Sequence, residues 1–156
     1  MEKKENLEDV SVSSKDNTMT ELQVYGITGT IVQLLNYLKK YIMLTQLQID
    51  LVQKNYQVRN ILKELYMYEE TKLVMDIRSQ LDMVYVYTTD DIVVENFQRI
   101  RNKFEDALSY LTSNMLEQGK EGNLKDEDYI SILEPFMNKL KRITEEISSK
   151  PIFEKF

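Results

Sequence analysis

Cysteine and histidine are both absent from the 156-residue sequence, and their absence excludes much of the common catalytic and metal chemistry. Without cysteine the chain has no disulfide, no thiol nucleophile and no thiolate ligand, which is more typical of a reducing, cytoplasmic compartment than of a small secreted scaffold. Without histidine no side chain has an ordinary pKa near neutrality, and the commonest ligand of transition metals is missing. We therefore expect a cytoplasmic protein that is not an enzyme and that binds no metal, no cofactor and no small-molecule substrate.

Glycine and proline are scarce, with four and two residues, and neither occurs between residues 30 and 118. A β-sheet protein needs turn residues roughly every 8–12 positions, so this unbroken stretch is typical of helices. The four glycines also form no Gly-x-Gly-x-x-Gly motif and no phosphate-binding loop. The sequence therefore predicts an all-α fold, a four- or five-helix bundle, and we interpret Gly26 and Gly29 as a flexible segment leading into a helix.

Long hydrophobic runs and an excess of positive charge are lacking as well. Residues 1–18 are polar and have no apolar core like that of a secretory signal, so we expect a disordered tail before a single helical domain over residues 19–156. The most apolar segment, residues 31–44, is interrupted by polar side chains and is shorter than the roughly 20 residues of a bilayer span. A net charge of -6 disfavours a uniformly basic surface for nucleic acid or for an anionic membrane. The sequence thus predicts no membrane partner.

Two helices are clearly marked in the second half of the sequence. The first follows residues 87–91, where a threonine can cap free amides and two carboxylates face the positive end of the helix dipole. It ends at Gly119, a common residue at helix C-termini. Its apolar residues recur at three- and four-residue steps: Val93, Phe97, Ile100, Phe104, Ala107, Leu108, Leu111 and Met115. The second helix begins at Asp126. Because Pro135 lies within its apolar periodicity, either a short first turn ends near Leu133 or the helix kinks.

The apolar periodicity of the first half continues from Ile31 through Tyr68 without interruption. One rod of that length would extend about 60 Å, well beyond a compact chain. Either the helix is divided near residues 43–46 or around Asn55, or another chain covers the overhang. Six apolar residues follow heptad spacing: Leu44, Leu47, Leu51, Val58, Ile61 and Leu65. A second stripe lies about 150° away on a helical wheel: Ile42, Ile49, Val52 and Tyr56. A helix with apolar residues on opposite sides lies at the centre of a bundle or binds a partner, and both interpretations stay open.

Ten tyrosines and no tryptophan are present. Two tyrosine pairs lie at the two ends of a predicted helix over residues 69–87: Tyr66 and Tyr68 precede it, and Tyr85 and Tyr87 close it. Tyrosine is favoured at interfaces because it buries a large area and keeps a polar tip. The second pair lies in residues 83–87, whose β-branched and aromatic side chains are also consistent with a short strand. The candidate protein interface consists of Leu44, Leu47, Leu51, Val58, Tyr66, Tyr68, Tyr85 and Tyr87. We therefore expect a protein–protein interaction module that associates with itself and acts as an inhibitor or accessory subunit of a larger assembly.

Three groups of basic residues support an alternative, a small nucleic-acid-associated subunit of a ribonucleoprotein complex. The candidate nucleic-acid-binding residues are Lys39, Lys40, Arg99, Arg101, Lys103, Lys139, Lys141 and Arg142. If helix packing brings them to one side, they can form a groove that follows a phosphate backbone. The competing interpretation is a set of solvated helix faces, with i,i+4 ion pairs joining Glu95 to Arg99 and Arg101 to Glu105.

Paired carboxylates raise the question of acid–base catalysis or magnesium binding. They occur at residues 69–70, 90–91, 126–128 and 145–146. The second and third groups lie at predicted helix starts, where acidic side chains interact favourably with the helix dipole, and the last is typical of a solvated face. The sequence therefore predicts no catalytic residue and no metal ligand. A carboxylate enzyme would instead need three acidic side chains to converge in one pocket.

Overall fold

The computed structural model of the protein describes residues 19–54, 56–119 and 125–156, with only the backbone described for residues 56–64, 118 and 119. Four long helices and one short helix make up this part of the chain: α1 (Glu21–Lys54), α2 (Tyr56–Asp82), α3 (Val84–Tyr87), α4 (Asp91–Gly119) and α5 (Asp126–Ser149). The described residues contain no strand, so the strand interpretation of residues 83–87 is wrong and the all-α prediction is confirmed. The predicted tail, residues 1–18, lies outside the described residues.

The start of α1 differs from the sequence interpretation. Thr20 and Gln23 cap this helix reciprocally: the Gln23 amide donates to the Thr20 hydroxyl at 3.2 Å, and the Thr20 amide donates to Oε1 of Gln23 at 2.9 Å. This capping box satisfies two amides that would otherwise have no partner. Gly26 and Gly29 therefore lie inside a helix that has already begun, and their interpretation as a flexible segment before it is wrong.

The first half of the chain forms two helices rather than one rod. The Tyr41 hydroxyl donates a 2.6 Å hydrogen bond to Oε2 of Glu70. In one continuous helix these residues would be about 40 Å apart, because each residue advances the helix by about 1.5 Å. The chain therefore reverses between them, with α1 ending at Lys54 and α2 beginning at Tyr56. Of the alternatives left open, the structure shows the division around Asn55, a residue that itself lies outside the described part. One rod and a break near residues 43–46 are wrong.

Residue pairs between helices define an up-down-up-down four-helix bundle. Along each pair of neighbouring helices, contacts that ascend one helix descend the other, so neighbours run antiparallel. The pairs are Tyr41–Glu70 and Gly26–Tyr87 for α1 with α2 and α3, Arg78–Glu105 and Asp82–Arg101 for α2 with α4, and Lys103–Glu146 and Lys139–Tyr110 for α4 with α5. Helix α1 also packs against α5 and closes the bundle. Short connections between consecutive helices are typical of this topology.

The core is formed by one side of each long helix. Tyr41 is fully buried at its centre, and its ring meets Phe104 and Phe136 edge-on at centroid distances of 6.5 and 5.3 Å. The stripe predicted for α4 faces this core, with Leu108 and Met115 packed at its margin. Helix α5 continues through Pro135 from Asp126 to Ser149, so the alternative of a first turn ending near Leu133 is wrong.

Hydrogen bonds attach the C-terminal segment to the bundle. Asn96, buried in α4, donates through Nδ2 to the carbonyls of Ile152 and Glu154, both at 2.7 Å, and accepts the Phe156 amide at 3.2 Å. A few residues earlier, Asp90 caps α4 by accepting the Val93 amide at 3.1 Å. These contacts gather the start of α4 and the C-terminal segment at one end of the bundle.

Candidate protein-binding surface

Exposed large apolar side chains are concentrated on the first three helices. Fourteen such residues occur among the described side chains, of which twelve lie on α1, α2 or α3 and none on α5. The twelve are Leu22, Val24, Tyr25, Val32, Met43, Leu47, Leu65, Met67, Tyr68, Met75, Tyr85 and Val86, and α4 contributes Ile92 and Leu116. The exposed apolar side chains therefore lie mainly on three helices that contact one another.

The exposure on α2 follows from residues placed on two opposite sides of one helix. Leu73, Ile77 and Leu81 recur at four-residue steps and are buried in the core. Tyr68 and Met75 are each 65% exposed and lie on the opposite side of the helix by helical periodicity. Each exposed aromatic or methionine leaves apolar area in water, and burial of such area is worth about 25 cal/mol per Å².

The heptad residues predicted as an interface lie partly on this surface. Leu47 is 52% exposed, and Leu44 and Leu51 are half-buried beside it, whereas Ile49 and Val52 of the second stripe are buried in the core. The side chain of Val58 lies outside the described residues. Because the chain turns after Lys54, the heptad does not continue along one helix. The antiparallel register instead brings Leu65 of α2 close to the level of Leu47.

The four predicted interface tyrosines have different surroundings. Tyr68 and Tyr85 are exposed, and the Tyr85 hydroxyl accepts a 3.1 Å hydrogen bond from Nε2 of Gln98. Tyr66 is half-buried and points to Glu70, and Tyr87 packs its ring against α1 at Gly26. A Cβ added to Gly26 would collide with that ring, so this glycine permits the close approach. Two of the four tyrosines therefore have structural roles.

A partly buried carboxylate beside Tyr66 was not predicted from the sequence. Oε2 of Glu70 accepts hydrogen bonds from the Tyr41 hydroxyl at 2.6 Å and the Tyr66 hydroxyl at 3.3 Å. Burial raises the pKa of Glu70, and the two hydrogen bonds lower it only in part. Burial and the Glu70 charge raise the pKa of both tyrosines as well. The sequence signal was available: Glu70 precedes the core residue Leu73 by three positions and Tyr66 precedes Glu70 by four, so all three share one side of the helix.

An uncharged groove of about 500 Å³ runs between the first half of α1 and the end of α2. Its lining includes Leu22, Tyr25, Gly29, Gln33 and Met83, and none of the residues that line it is charged. A Cβ added to Gly29 would meet no atom within 4 Å, so the floor of the groove is open at this position. The groove is continuous with the exposed apolar side of α1.

The candidate basic residues do not form one continuous site. Glu146 binds Lys103, with Arg99 at 3.7 Å, and Arg101 binds Asp82 of α2. Partial burial opposes ionisation of Glu146, but the hydrogen bond from Lys103 and the neighbouring cations hold the pKa of this carboxyl below its usual range. Three of the expected cations are therefore paired with only two acids on other helices, because Arg99 and Lys103 share Glu146.

These contacts replace the predicted i,i+4 pairs. Arg99 pairs with α5 rather than with Glu95, and the carboxylate of Glu105 is held by the guanidinium of Arg78 at 2.7 and 2.8 Å rather than by Arg101. Both predicted pairs are wrong as ion pairs, because packing offers each cation an acid on a facing helix. The effect is to join α4 to α2 and α5.

Part of the basic set does come together. Lys103, Lys139 and Arg142 line a groove of about 260 Å³ between α4 and α5, together with Asp106. The Lys139 ammonium lies 5.0 Å from the centroid of the Tyr110 ring, a cation–π contact. The remaining members, Lys39, Lys40 and Lys141, are exposed on α1 and α5.

Across the described ranges, no three acidic side chains are placed to hold a metal ion. No helix in the same part of the chain is long and apolar enough to cross a bilayer. No known protein family, no curated protein and no solved structure matches the sequence. The protein is therefore described by its fold class, an all-α helical bundle, and by the surface that this bundle exposes.

Proposed function

We propose that the protein is a cytoplasmic, non-enzymatic interaction module that associates with itself through the surface of α1, α2 and α3 and serves as an accessory subunit or inhibitor of a larger assembly. The observation that carries this proposal is the uneven distribution of exposed apolar side chains, with twelve of the fourteen described ones on these helices. Exposed apolar side chains mark protein interaction sites in soluble proteins where they form a contiguous patch.

The energetics are consistent with such a role. Complete burial of a leucine, methionine or phenylalanine side chain contributes about 1.5–3 kcal/mol, and these residues are already partly buried, so each contributes less. Association costs about 4–15 kcal/mol in lost freedom of motion. A contact that covers four or five of these side chains therefore gives moderate affinity, whereas one residue alone does not.

Light scattering on the purified protein over about 1–500 µM tests self-association, because the upper end of this range begins to populate even a weak dimer. We expect the average mass to rise with concentration. Leu47→Glu, which places a charge on the proposed surface, should abolish the rise. Leu116→Glu introduces the same charge at a leucine of α4 that is 65% exposed, and should leave the rise intact. A strict monomer over the whole range, or equal effects of both variants, would contradict the proposal.

The second candidate function is that of a nucleic-acid-associated subunit, and the groove lined by Lys103, Lys139 and Arg142 is the observation that favours it. Binding of single- and double-stranded DNA and RNA should then be detectable at low salt and weaken steeply as salt is raised. Arg142→Glu should abolish binding. No binding at low salt would rule out an independent nucleic-acid-binding role.

A further inference from the structure

The solvent-facing side of α1 carries a regular series of exposed positions. We call this series the outer strip, and its members are Leu22, Tyr25, Gly29, Val32, Asn36, Met43 and Leu47. Successive members are three or four residues apart, except that Lys39 and Lys40 occupy the step between Asn36 and Met43. The strip lies opposite the buried side of the helix, and its average spacing near 3.5 residues is that of a coiled-coil seam.

We infer that a second copy of this chain docks on the outer strip with the two α1 helices antiparallel and a two-fold axis beside Asn36. The inference rests on the proposed self-association and adds the surface, orientation and register. In such a contact, residues equally far from Asn36 on opposite sides face each other. Tyr25 then faces Leu47 of the second copy, and Gly29 faces Met43 of the second copy.

The shapes of these facing positions are complementary. Met43 is 70% exposed and projects from the helix, whereas Gly29 leaves the uncharged groove open in front of it. A flexible thioether side chain fills such a gap readily. Tyr25, 80% exposed, and Leu47 supply an aromatic–aliphatic contact on either side of this pair. Each interaction occurs twice because of the two-fold symmetry.

Asn36 is suited to the axis itself. Its amide group has both donors and acceptors, so two copies of this side chain can hydrogen-bond to each other. A single asparagine in an otherwise apolar seam selects one register, because any shift leaves its amide facing apolar side chains. In this arrangement the exposed Asn36 therefore gains a hydrogen-bond partner beyond those that the described residues of the single chain give it.

The charges favour the antiparallel orientation over the parallel one. Glu21 begins α1 and Lys54 ends it, so the antiparallel pair brings the two within one helical turn of each other at both ends. The parallel pair would place Lys39 and Lys40 against their own copies and Met43 against Met43. In the antiparallel pair, Lys40 lies beside Val32 of the second copy, and its ammonium already lies over the Tyr37 ring of its own chain at 5.8 Å.

The size of the contact sets the conditions for its detection. From Leu22 to Leu47 the strip is about 38 Å long, and with a helix diameter of about 10 Å it covers about 400 Å² per copy. That is about half the area of a standard interface, so we expect weak association to which neighbouring side chains of α2 contribute. Cross-linking is the appropriate measurement, because it traps a weakly populated dimer.

Cysteine substitution tests the register directly, since the chain has no cysteine of its own. Under oxidising conditions Asn36→Cys should form a covalent dimer, whereas Asn138→Cys, the same change at an exposed position of α5, should not. Tyr25→Cys and Leu47→Cys should each remain monomeric alone and form a mixed dimer when combined. Dimerisation of Tyr25→Cys alone would indicate the parallel orientation, and equal rates for Asn36→Cys and Asn138→Cys would indicate random collision. Either result overturns the inference.

Gly29→Gln provides a measurement independent of cross-linking. The added side chain extends into the open groove of the single chain but occupies the place of Met43 from the second copy, so dimerisation should weaken about tenfold or more. The unfolding temperature of the dilute protein should be unchanged or higher. Unaltered dimerisation of Gly29→Gln would contradict the inference. If the wild-type protein is a monomer, the proposed function fails as well; if it self-associates without cross-linking at Asn36→Cys, only the arrangement fails.

Discussion

The hydroxyl of Tyr41 on α1 donates a 2.6 Å hydrogen bond to the carboxylate of Glu70 on α2, at the centre of the bundle. This one contact joins the two helices that form the proposed binding surface and sets their register. The carboxylate has no ion-pair partner among the described side chains, so its stability depends on the two tyrosine hydroxyls. Several measurable properties of the protein follow from this pair and from the close packing around it.

Removal of the Tyr41 hydroxyl should destabilise the protein. In Tyr41→Phe the ring contacts with Phe104 and Phe136 are retained, but the partly buried carboxylate loses its closest donor, which costs about 1–3 kcal/mol. Tyr66→Phe is the matched control, because its hydroxyl lies farther from the same oxygen, at 3.3 Å, and its loss should cost less. Urea denaturation measures the free energy of unfolding of both variants. Equal losses of stability in the two variants would show that the shorter hydrogen bond contributes no more than the longer one.

The pH dependence of stability should change when Glu70 is replaced by glutamine. Burial raises the pKa of Glu70 in the folded protein above its unfolded value, so the protonated form is favoured by folding. The stabilisation is complete below the unfolded pKa and is lost as pH rises through the raised folded pKa. The free energy of unfolding of the wild-type protein should therefore fall as pH rises from about 4.5 towards neutrality, because Glu70 ionises over this range. Glu70→Gln should flatten that fall. Denaturation curves at several pH values measure it, with Glu69→Gln as the control that should retain the wild-type slope.

The two glycines of α1 should respond oppositely to alanine. Gly26→Ala places a methyl group in the Tyr87 ring and should destabilise the protein by about 1–3 kcal/mol. Gly29→Ala meets no atom within 4 Å and should stabilise it by up to about 1 kcal/mol, because alanine is the better helix former. The unfolding temperatures of the two variants and the wild-type protein, measured at low concentration, test this prediction. A loss of stability in Gly29→Ala would contradict the open groove at that position.

The C-terminal segment should be released when Asn96 is replaced by alanine. Three hydrogen bonds to the backbone of residues 152–156 are lost, and a net contribution of about 1 kcal/mol for each predicts a substantial weakening of this attachment. Limited proteolysis should then cleave the segment while α4 and α5 stay protected. Asn102→Ala, at an exposed position of the same helix, should leave the cleavage pattern unchanged.

The second half of the fold could be predicted because its signals agree. In α4, the cap, the apolar stripe and the terminal glycine all indicate the same helix, and every buried apolar residue from Val93 to Leu111 belongs to the predicted stripe. In α5, Pro135 gave two alternatives, and the helix continues because packing on both flanks of the proline stabilises it despite one missing hydrogen bond. Local propensity therefore predicted the elements, and tertiary packing decided how they continue.

The candidate surface was predicted less completely. Heptad spacing identified Leu47 but joined it to residues beyond the turn, because spacing along the chain contains no signal of where the chain reverses. The ion pairs failed for a related reason: Arg101 and Glu105 are adjacent on one helix, yet each has a better-placed partner on α2. Such partners are chosen by the distance between helices, which no single-helix pattern includes.

The sequence by itself determined the composition limits, the helical class and the excess of apolar and tyrosine side chains in the first half of the chain. These depend on residue type and on periods of three to four residues, which are local properties. Only the tertiary structure decided that Tyr66 and Glu70 belong to a partly buried polar cluster while Tyr25, Met43 and Tyr68 remain in solvent. Which residues are buried depends on which helices face each other. An apolar side chain stabilises the fold where a neighbouring helix covers it, and the same side chain stays in water where none does.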